Sequence, residues 1–171
     1  SYCILCCMSF YHIVDDALNQ EQVNEILEFR KTTGIGSNYL FKPYNAECVL
    51  PIIDIAGQFY DLSKTKYYEV WEQNDQRPNG WHEDKDEQLA VSNVLSYPLC
   101  STIYYIEVGD DLEGGNLLIR DPDTAERHTV TPVTNRLVVF GPAISHYVQK
   151  FTGRRHSFLC NPWDKLLGQI N

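Results

Sequence analysis

The sequence predicts a mainly β, α+β fold in which two N-terminal helices pack against an antiparallel β-sandwich or barrel. Three observations carry this. Helical spacing is confined to the first third of the chain, and from Lys66 onward the apolar residues fall in short β-branched and aromatic runs. The breaks between those runs have turn chemistry, as in Glu113-Gly114-Gly115 and Asp121-Pro122-Asp123.

Residues 10 to 14 (FYHIV) form the first predicted strand, closed by Asp15-Asp16. A helix follows, with Val23, Ile26, Leu27 and Arg30 at helical spacing. Asn19 is placed to cap it, Gln22 to complete a capping box and Leu18 to staple onto Val23, while Gly34 and Gly36 stop it. A second helix starts near Pro51, presents Ile52, Ile55, Ala56 and Phe59 on one face, and ends by Ser63. Eight strands are then expected: KYYEVWEQ, GWHEDKDE, STIYYIEV, NLLI, HTVTPV, RLVVFG, SHYVQKF and RHSFLCN. The helical part covers about residues 10–63 and the β-part about 66–163, in one domain over 1–171.

With 171 residues, 43% of them hydrophobic, such a chain buries roughly 70% of its unfolded surface and needs no disulfide staples. The six cysteines are scattered apart from Cys3, Cys6 and Cys7, which lack a zinc-finger spacing, and no signal-peptide pattern opens the chain. A reducing, cytoplasmic location is the expectation. Asp15, Asp54, Glu69 or Arg136 interrupts every apolar stretch before the ~18 residues of a membrane span. Net charge −9 and a pI near 4.9 disfavour a nucleic-acid partner, because affinity for a phosphate backbone rests on Lys and Arg.

The chemistry-bearing residues begin at His82-Glu83-Asp84. In a strand, side chains two apart share a face, so His82 and Asp84 project together. His146, which follows the strand Leu137 to Phe140 and the turn Gly141-Pro142, is the best third ligand. Two histidines and one carboxylate make a facial triad that leaves three positions of an octahedral Fe(II) open. On spacing alone, a solvated loop after Asn79-Gly80 is the favoured reading of His-x-Asp. Nine positions beyond His146, Arg155 shares a strand face with Ser157, and a guanidinium fork beside a hydroxyl suits a semi-buried carboxylate. His12, His128 and His156 are expected to have structural or surface places. Tyr68, Trp71 and Trp81 either line a substrate pocket or pack in the β-core.

Taken in order, His82-x-Asp84, TIYYIE (Thr102 to Glu107), EGGNLLI (Glu113 to Ile119), RLVVF (Arg136 to Phe140), His146-x-Val148 and GRRHS (Gly153 to Ser157) resemble the Fe(II)/2-oxoglutarate-dependent dioxygenases, and within them the prolyl-hydroxylase-like branch. The resemblance spans about Asp15 to Trp163. It implies a double-stranded β-helix (jelly-roll, cupin-like) core, with iron bound by His82, Asp84 and His146. It also implies that Arg155 pairs with the distal carboxylate of 2-oxoglutarate, with Tyr105 and Ser157 as further contacts, and gives Gly114-Gly115 a structural role. Collagen-type prolyl hydroxylases have Lys where this chain has Arg155, which weighs against collagen-like substrates.

The activity so implied consumes molecular oxygen, releases succinate and carbon dioxide and hydroxylates a second substrate, with ascorbate as a compatible reductant. Asp84 fills the position a halogenase leaves for chloride, so hydroxylation is expected. The prime substrate is a prolyl or other amino-acid residue in a peptide or protein; the alternatives are a free amino acid or small metabolite, or a non-catalytic module that binds metal and 2-oxoglutarate. A zinc enzyme would use the same ligands without needing Arg155 and Tyr105. The segments Thr32 to Glu47 and Asn74 to Gly80 are the expected substrate gates.

Overall fold

The computed structural model describes residues 9–34, 39–41, 47–74 and 80–168. Cys3, Cys6, Cys7, Gly36, the turn residues 77–79 and most of both expected gates lie outside the described residues. The N-terminal half contains β1 (Tyr11–Val14), α1 (Gln20–Thr33), β2 (Tyr39–Phe41), a 3-10 turn (Glu47–Val49), α2 (Leu50–Ala56), β3 (Tyr67–Gln73) and α3 (Glu87–Ala90). Eight strands follow: β4 (Ser101–Val108), β5 (Glu113–Gly114), β6 (Leu117–Arg120), β7 (Arg127–Val130), β8 (Leu137–Phe140), β9 (His146–Val148), β10 (Phe151–Thr152) and β11 (Arg155–Trp163).

The major sheet has the order β1-β8-β4-β11-β3-β2 and is antiparallel throughout. The minor sheet has the order β7-β6-β9, and β5 pairs with β10. All four residues of β8 are buried because the major sheet is covered on both faces. Leu137 and Val139 join Tyr104, Phe158 and Cys160 in a cluster with Leu18, Ile26, Ile52 and Ala56 of the helical layer. Val138 and Phe140 join Ile103, Tyr105 and Leu159 in a second cluster with Leu117, Ile119, Val130 and Val148 of the minor sheet. This two-sided burial explains why Ile103 to Ile106 and Leu137 to Phe140 are unbroken apolar runs. The result is the expected jelly-roll core with the N-terminal helices on its outer face.

α1 has the predicted start. The Gln22 backbone N–H donates to the Asn19 side chain and the Asn19 N–H donates to the Gln22 side chain, both at 3.0 Å, while Leu18 and Val23 meet in the helix-side cluster. Gly34 closes the helix in the left-handed conformation at φ 59°. α2 is shorter than predicted: the chain turns at Gly57, so Phe59 reaches the core from beyond the helix and stacks on His12. Its buried residues are Ile52, Ile53 and Ala56, with Ile55 and Phe59 partly buried against the same core.

The segment GWHEDKDE is not a strand. It makes one isolated bridge, His82 with His146, and then runs irregularly into α3. The physical reason is Asp86, whose carboxylate accepts the N–H groups of Gln88 and Leu89 as a helix cap and that of Gly168 from the C-terminal segment. The predicted strand SHYVQKF divides into β9 and β10, which belong to different sheets.

Cys48, Cys100 and Cys160 are free, and burial pushes Cys48 up to about 11 and Cys100 to about 12, which makes them core residues and not reactive thiols. Among the described residues, no helix is long and apolar enough to cross a membrane.

Candidate metal centre and active site

The isolated bridge assembles the candidate metal site. His82 N–H donates to the His146 carbonyl at 3.0 Å and His146 N–H donates back at 2.9 Å, which lays the segment carrying His82 and Asp84 along the edge of β9. The side chains of His82, Asp84 and His146 then converge, each offering one ligand atom, all within 4.8 Å of one another. Asp84 Oδ1 lies 3.6 Å from His146 Nε2 and 4.0 Å from His82 Nε2. Two atoms that share a metal at about 2.0–2.2 Å are at most about 4.4 Å apart, so both separations fit common ligation.

The histidines are oriented as metal ligands require. Nδ1 of His82 is 2.7 Å from the Gly80 carbonyl and Nδ1 of His146 is 3.0 Å from that of Ile144. Each ring therefore carries its proton on Nδ1 and turns an Nε2 lone pair toward Asp84. Burial holds the His146 imidazole below its ordinary pKa, with Asp84 opposing the shift, so the ring is neutral at pH 7.

Asp84 is held from the other side by a residue that the sequence analysis did not single out. Asn161 Nδ2 donates to Asp84 Oδ2 at 2.9 Å, and the Thr102 backbone N–H fixes Asn161 by donating to its Oδ1 at 3.1 Å. This engages one carboxylate oxygen and leaves the other facing the histidines. Asn161→Leu is expected to lower metal affinity about 10- to 100-fold, as measured by anaerobic Co(II) titration. Unchanged affinity in the folded variant would refute the orienting role.

Arg155, Ser157, Leu159 and Asn161 succeed one another on the face of β11 toward the minor sheet. Ser157 lies opposite Tyr105 and Leu159 opposite Ile103, and an extra residue in β4, Ile106, makes a bulge beside His156/Ser157. Arg155 is 1% exposed. Its Nε donates to the Gly115 carbonyl at 3.0 Å, one terminal nitrogen to Ser157 Oγ at 3.3 Å and the other to the Tyr105 hydroxyl at 3.5 Å. The guanidinium lies 5.1 Å from the Tyr105 ring centre and 5.5 Å from that of Phe151. Among the described residues, no carboxylate pairs with it. A buried cation with only neutral partners is costly, and the structure thus presents a site for an anion. Burial pushes the Tyr105 hydroxyl up, against the pull of Arg155, so it stays protonated and has a hydrogen to donate. Ser157 instead donates to the Gln73 carbonyl at 3.3 Å.

Gly114 and Gly115 both adopt positive φ, 80° and 75°. A Cβ on Gly115 would lie 2.9 Å from Arg155 Cδ, so this glycine both provides the carbonyl that aims Arg155 and leaves room for its stem. Gly115→Ala is expected to cost about 1–2 kcal/mol from the left-handed backbone alone and to displace Arg155. A thermal melt should fall by about 2–8 °C, with weaker 2-oxoglutarate binding beside it. An unaltered melt and unaltered binding would contradict the close approach.

A cleft of about 520 Å³ opens at the metal residues, lined by Glu69, Trp71, Glu83, Gln88, Leu166 and Leu167 together with His82 and Asp84. Glu69, opposite Asn161 on β3, is held by Trp163 Nε1 at 3.1 Å, and burial pushes its carboxyl up to about 7. Of the three aromatic residues in question, Trp71 lines the cleft, Tyr68 is core and Trp81 turns to the outer surface. His12 stacks on Phe59, His128 packs against Phe10 and Tyr11, and His156 pairs with Glu72, so none of these three joins the ligand cluster.

The fold is similar to that of solved prolyl hydroxylases and 2OG-Fe(II) oxygenases. A prolyl-4-hydroxylase from Pseudomonas putida superposes with a TM-score of 0.65 at 18% identity, over 91% of this chain and 93% of that one. A prolyl hydroxylase from Trichoplax adhaerens, solved with a hypoxia inducible factor peptide fragment, gives 0.59 at 14% identity over 91% and 84%. An oxidoreductase of the 2OG-Fe(II) oxygenase family from Burkholderia pseudomallei gives 0.61 at 12% identity over 91% and 85%. No protein-family model and no curated protein matches the sequence.

Proposed function

We propose that the chain, acting as one domain, is an Fe(II)- and 2-oxoglutarate-dependent dioxygenase that hydroxylates a prolyl or other amino-acid residue in a peptide or protein. The observation that carries this reading is Arg155: a buried guanidinium without a counter-charge among the described residues, in the same inter-sheet layer as a His-Asp-His cluster. A zinc hydrolase has no use for that cation, whereas a keto-acid with a second carboxylate supplies its partner. The Trichoplax adhaerens structure, which holds a peptide, supports a polypeptide substrate.

In this reading His82, Asp84 and His146 hold the iron, Arg155 binds the far carboxylate of 2-oxoglutarate, and Tyr105 donates its hydroxyl hydrogen to the same group. Ser157, with its own proton directed at Gln73, positions the Arg155 fork. Bound iron and 2-oxoglutarate supply the oxidative chemistry, which ends in succinate, carbon dioxide and a hydroxylated product. The chain's own work is orientation: Asn161 sets Asp84, the Gly80 and Ile144 carbonyls set the histidines, and the Gly115 carbonyl sets Arg155. Asp84 keeps a carboxylate where a halide would have to bind, which favours hydroxylation.

The test is anaerobic titration of the metal-free protein with Fe(II) and 2-oxoglutarate, followed by admission of oxygen. A visible charge-transfer band and oxygen-dependent succinate are expected. A folded protein that gives neither would overturn the assignment.

A further inference from the structure

The outer face of the minor sheet carries a group of residues that the proposed site does not use. β6 and β7 place Arg120 directly opposite Arg127, and like charges facing one another across an antiparallel pair are destabilising. Both guanidinium groups lie against one indole, with Arg120 Cζ 4.6 Å and Arg127 Cζ 5.8 Å from the centre of the Trp81 ring. The Tyr147 ring is 5.7 Å from that of Trp81. Trp81 is 37% exposed and Arg127 is exposed.

Among the described residues, these two cations have no carboxylate partner, in a chain that has 23 acidic residues against 14 basic ones. Among the described residues, the arginine ion pairs join Arg30 to Glu72, Arg136 to Asp15 and Arg154 to Glu107. The neighbouring Asp121 is engaged elsewhere, accepting the backbone N–H groups of Asp123 and Thr124. Arg120 Nε is buried with no hydrogen-bond partner among the described residues. A repelling pair, an orphaned donor and an exposed indole in one place conflict with stability, and such local conflicts mark function.

We propose that Arg120, Arg127 and Trp81 form a recognition patch for an acidic segment of the polypeptide substrate, flanking the residue to be hydroxylated. Guanidinium forks are matched to carboxylates in geometry as well as charge. Two cations on a chain of net charge −9 are too few for an extended phosphate backbone, which is bound through many such contacts. The patch adjoins the candidate ligands in sequence. Trp81 immediately precedes His82 and Tyr147 immediately follows His146, so the patch lies on the other side of the isolated bridge that joins two candidate ligands. The substrate assignment rests on the oxygenase reading above, whereas the patch itself does not require metal.

The experiment uses the metal-free protein and a fluorescein-labelled decapeptide with a central proline flanked by Glu and Asp. Its Gln/Asn counterpart and a ten-nucleotide single-stranded DNA serve as controls. The acidic peptide is expected to bind the unsubstituted protein at least tenfold more tightly than the neutral one. That preference should weaken with salt and disappear in the Arg120→Gln/Arg127→Gln double variant. Equal binding of the two peptides, retained preference in the double variant, or tighter binding of the oligonucleotide would each overturn the proposal. Arg127→Gln alone, at an exposed position, gives the same comparison if the double variant fails to fold. The iron and 2-oxoglutarate band is recorded in parallel: its absence beside acid-selective binding would refute the oxygenase reading while supporting the patch.

Discussion

Arg155→Met is expected to weaken 2-oxoglutarate binding by about 2–4 kcal/mol, roughly 30- to 1000-fold, the usual cost of removing one partner of a buried, hydrogen-bonded charge pair. The same substitution should leave the melting temperature of the ligand-free protein unchanged or raised. Both expectations have one cause: without ligand, the guanidinium is 1% exposed and, among the described residues, meets the Gly115 carbonyl, Ser157, Tyr105 and the Phe151 ring but no carboxylate. Replacing an uncompensated buried charge by an apolar side chain of similar volume is commonly neutral or stabilising. Affinity is read from the charge-transfer band as 2-oxoglutarate is titrated, and stability from a melt of the same sample. A variant that binds 2-oxoglutarate normally would remove Arg155 from the site. A variant that loses binding only because it unfolds would show that the arginine is a core residue.

This separation of function from stability was partly legible in the sequence. The strand alternation of GRRHS puts Arg155 and Ser157 on one face, and the structure keeps them there, 3.3 Å apart. The capping box of α1 was equally legible, because all of its information lies within a few consecutive residues. His82 and Asp84 were paired for a reason that does not hold: they belong to an irregular edge segment bridged to His146, not to a strand. Their convergence depends on a contact between residues 64 positions apart in sequence, and no local period reports such a contact. Asn161 was missed for the same reason. Within SFLCNPW it is one polar residue in an apolar strand, and its meaning appears only when Asp84 and the Thr102 backbone are brought against it. The carbonyl of Gly115, which aims Arg155, leaves no side-chain signal at all; only the glycine pair hinted that the backbone there is unusual.

Asp84→Ala and His146→Ala are both expected to abolish turnover, and the two variants should differ in what else they lose. Each removes one of the three proposed ligands, so metal affinity should fall by more than the roughly 10- to 100-fold that follows loss of an outer-shell partner. His146 is 3% exposed, packs 4.8 Å from the Phe140 ring and hydrogen-bonds the Ile144 carbonyl, so its truncation also opens a cavity beside the inter-sheet core. The metal-free His146→Ala protein should therefore melt lower than the unsubstituted one. Asp84→Ala leaves Asn161 Nδ2 without its partner, but it also withdraws a negative charge from beside Glu69, whose carboxyl Asp84 helps to push up. These two effects oppose each other, and the metal-free melt should shift less than in His146→Ala. Anaerobic Co(II) titration and thermal melts of the metal-free variants measure the two quantities separately. Full activity in purified His146→Ala would sink the ligand assignment, and an equal loss of stability in both variants would show that the Asp84–Glu69 repulsion is negligible in the folded protein.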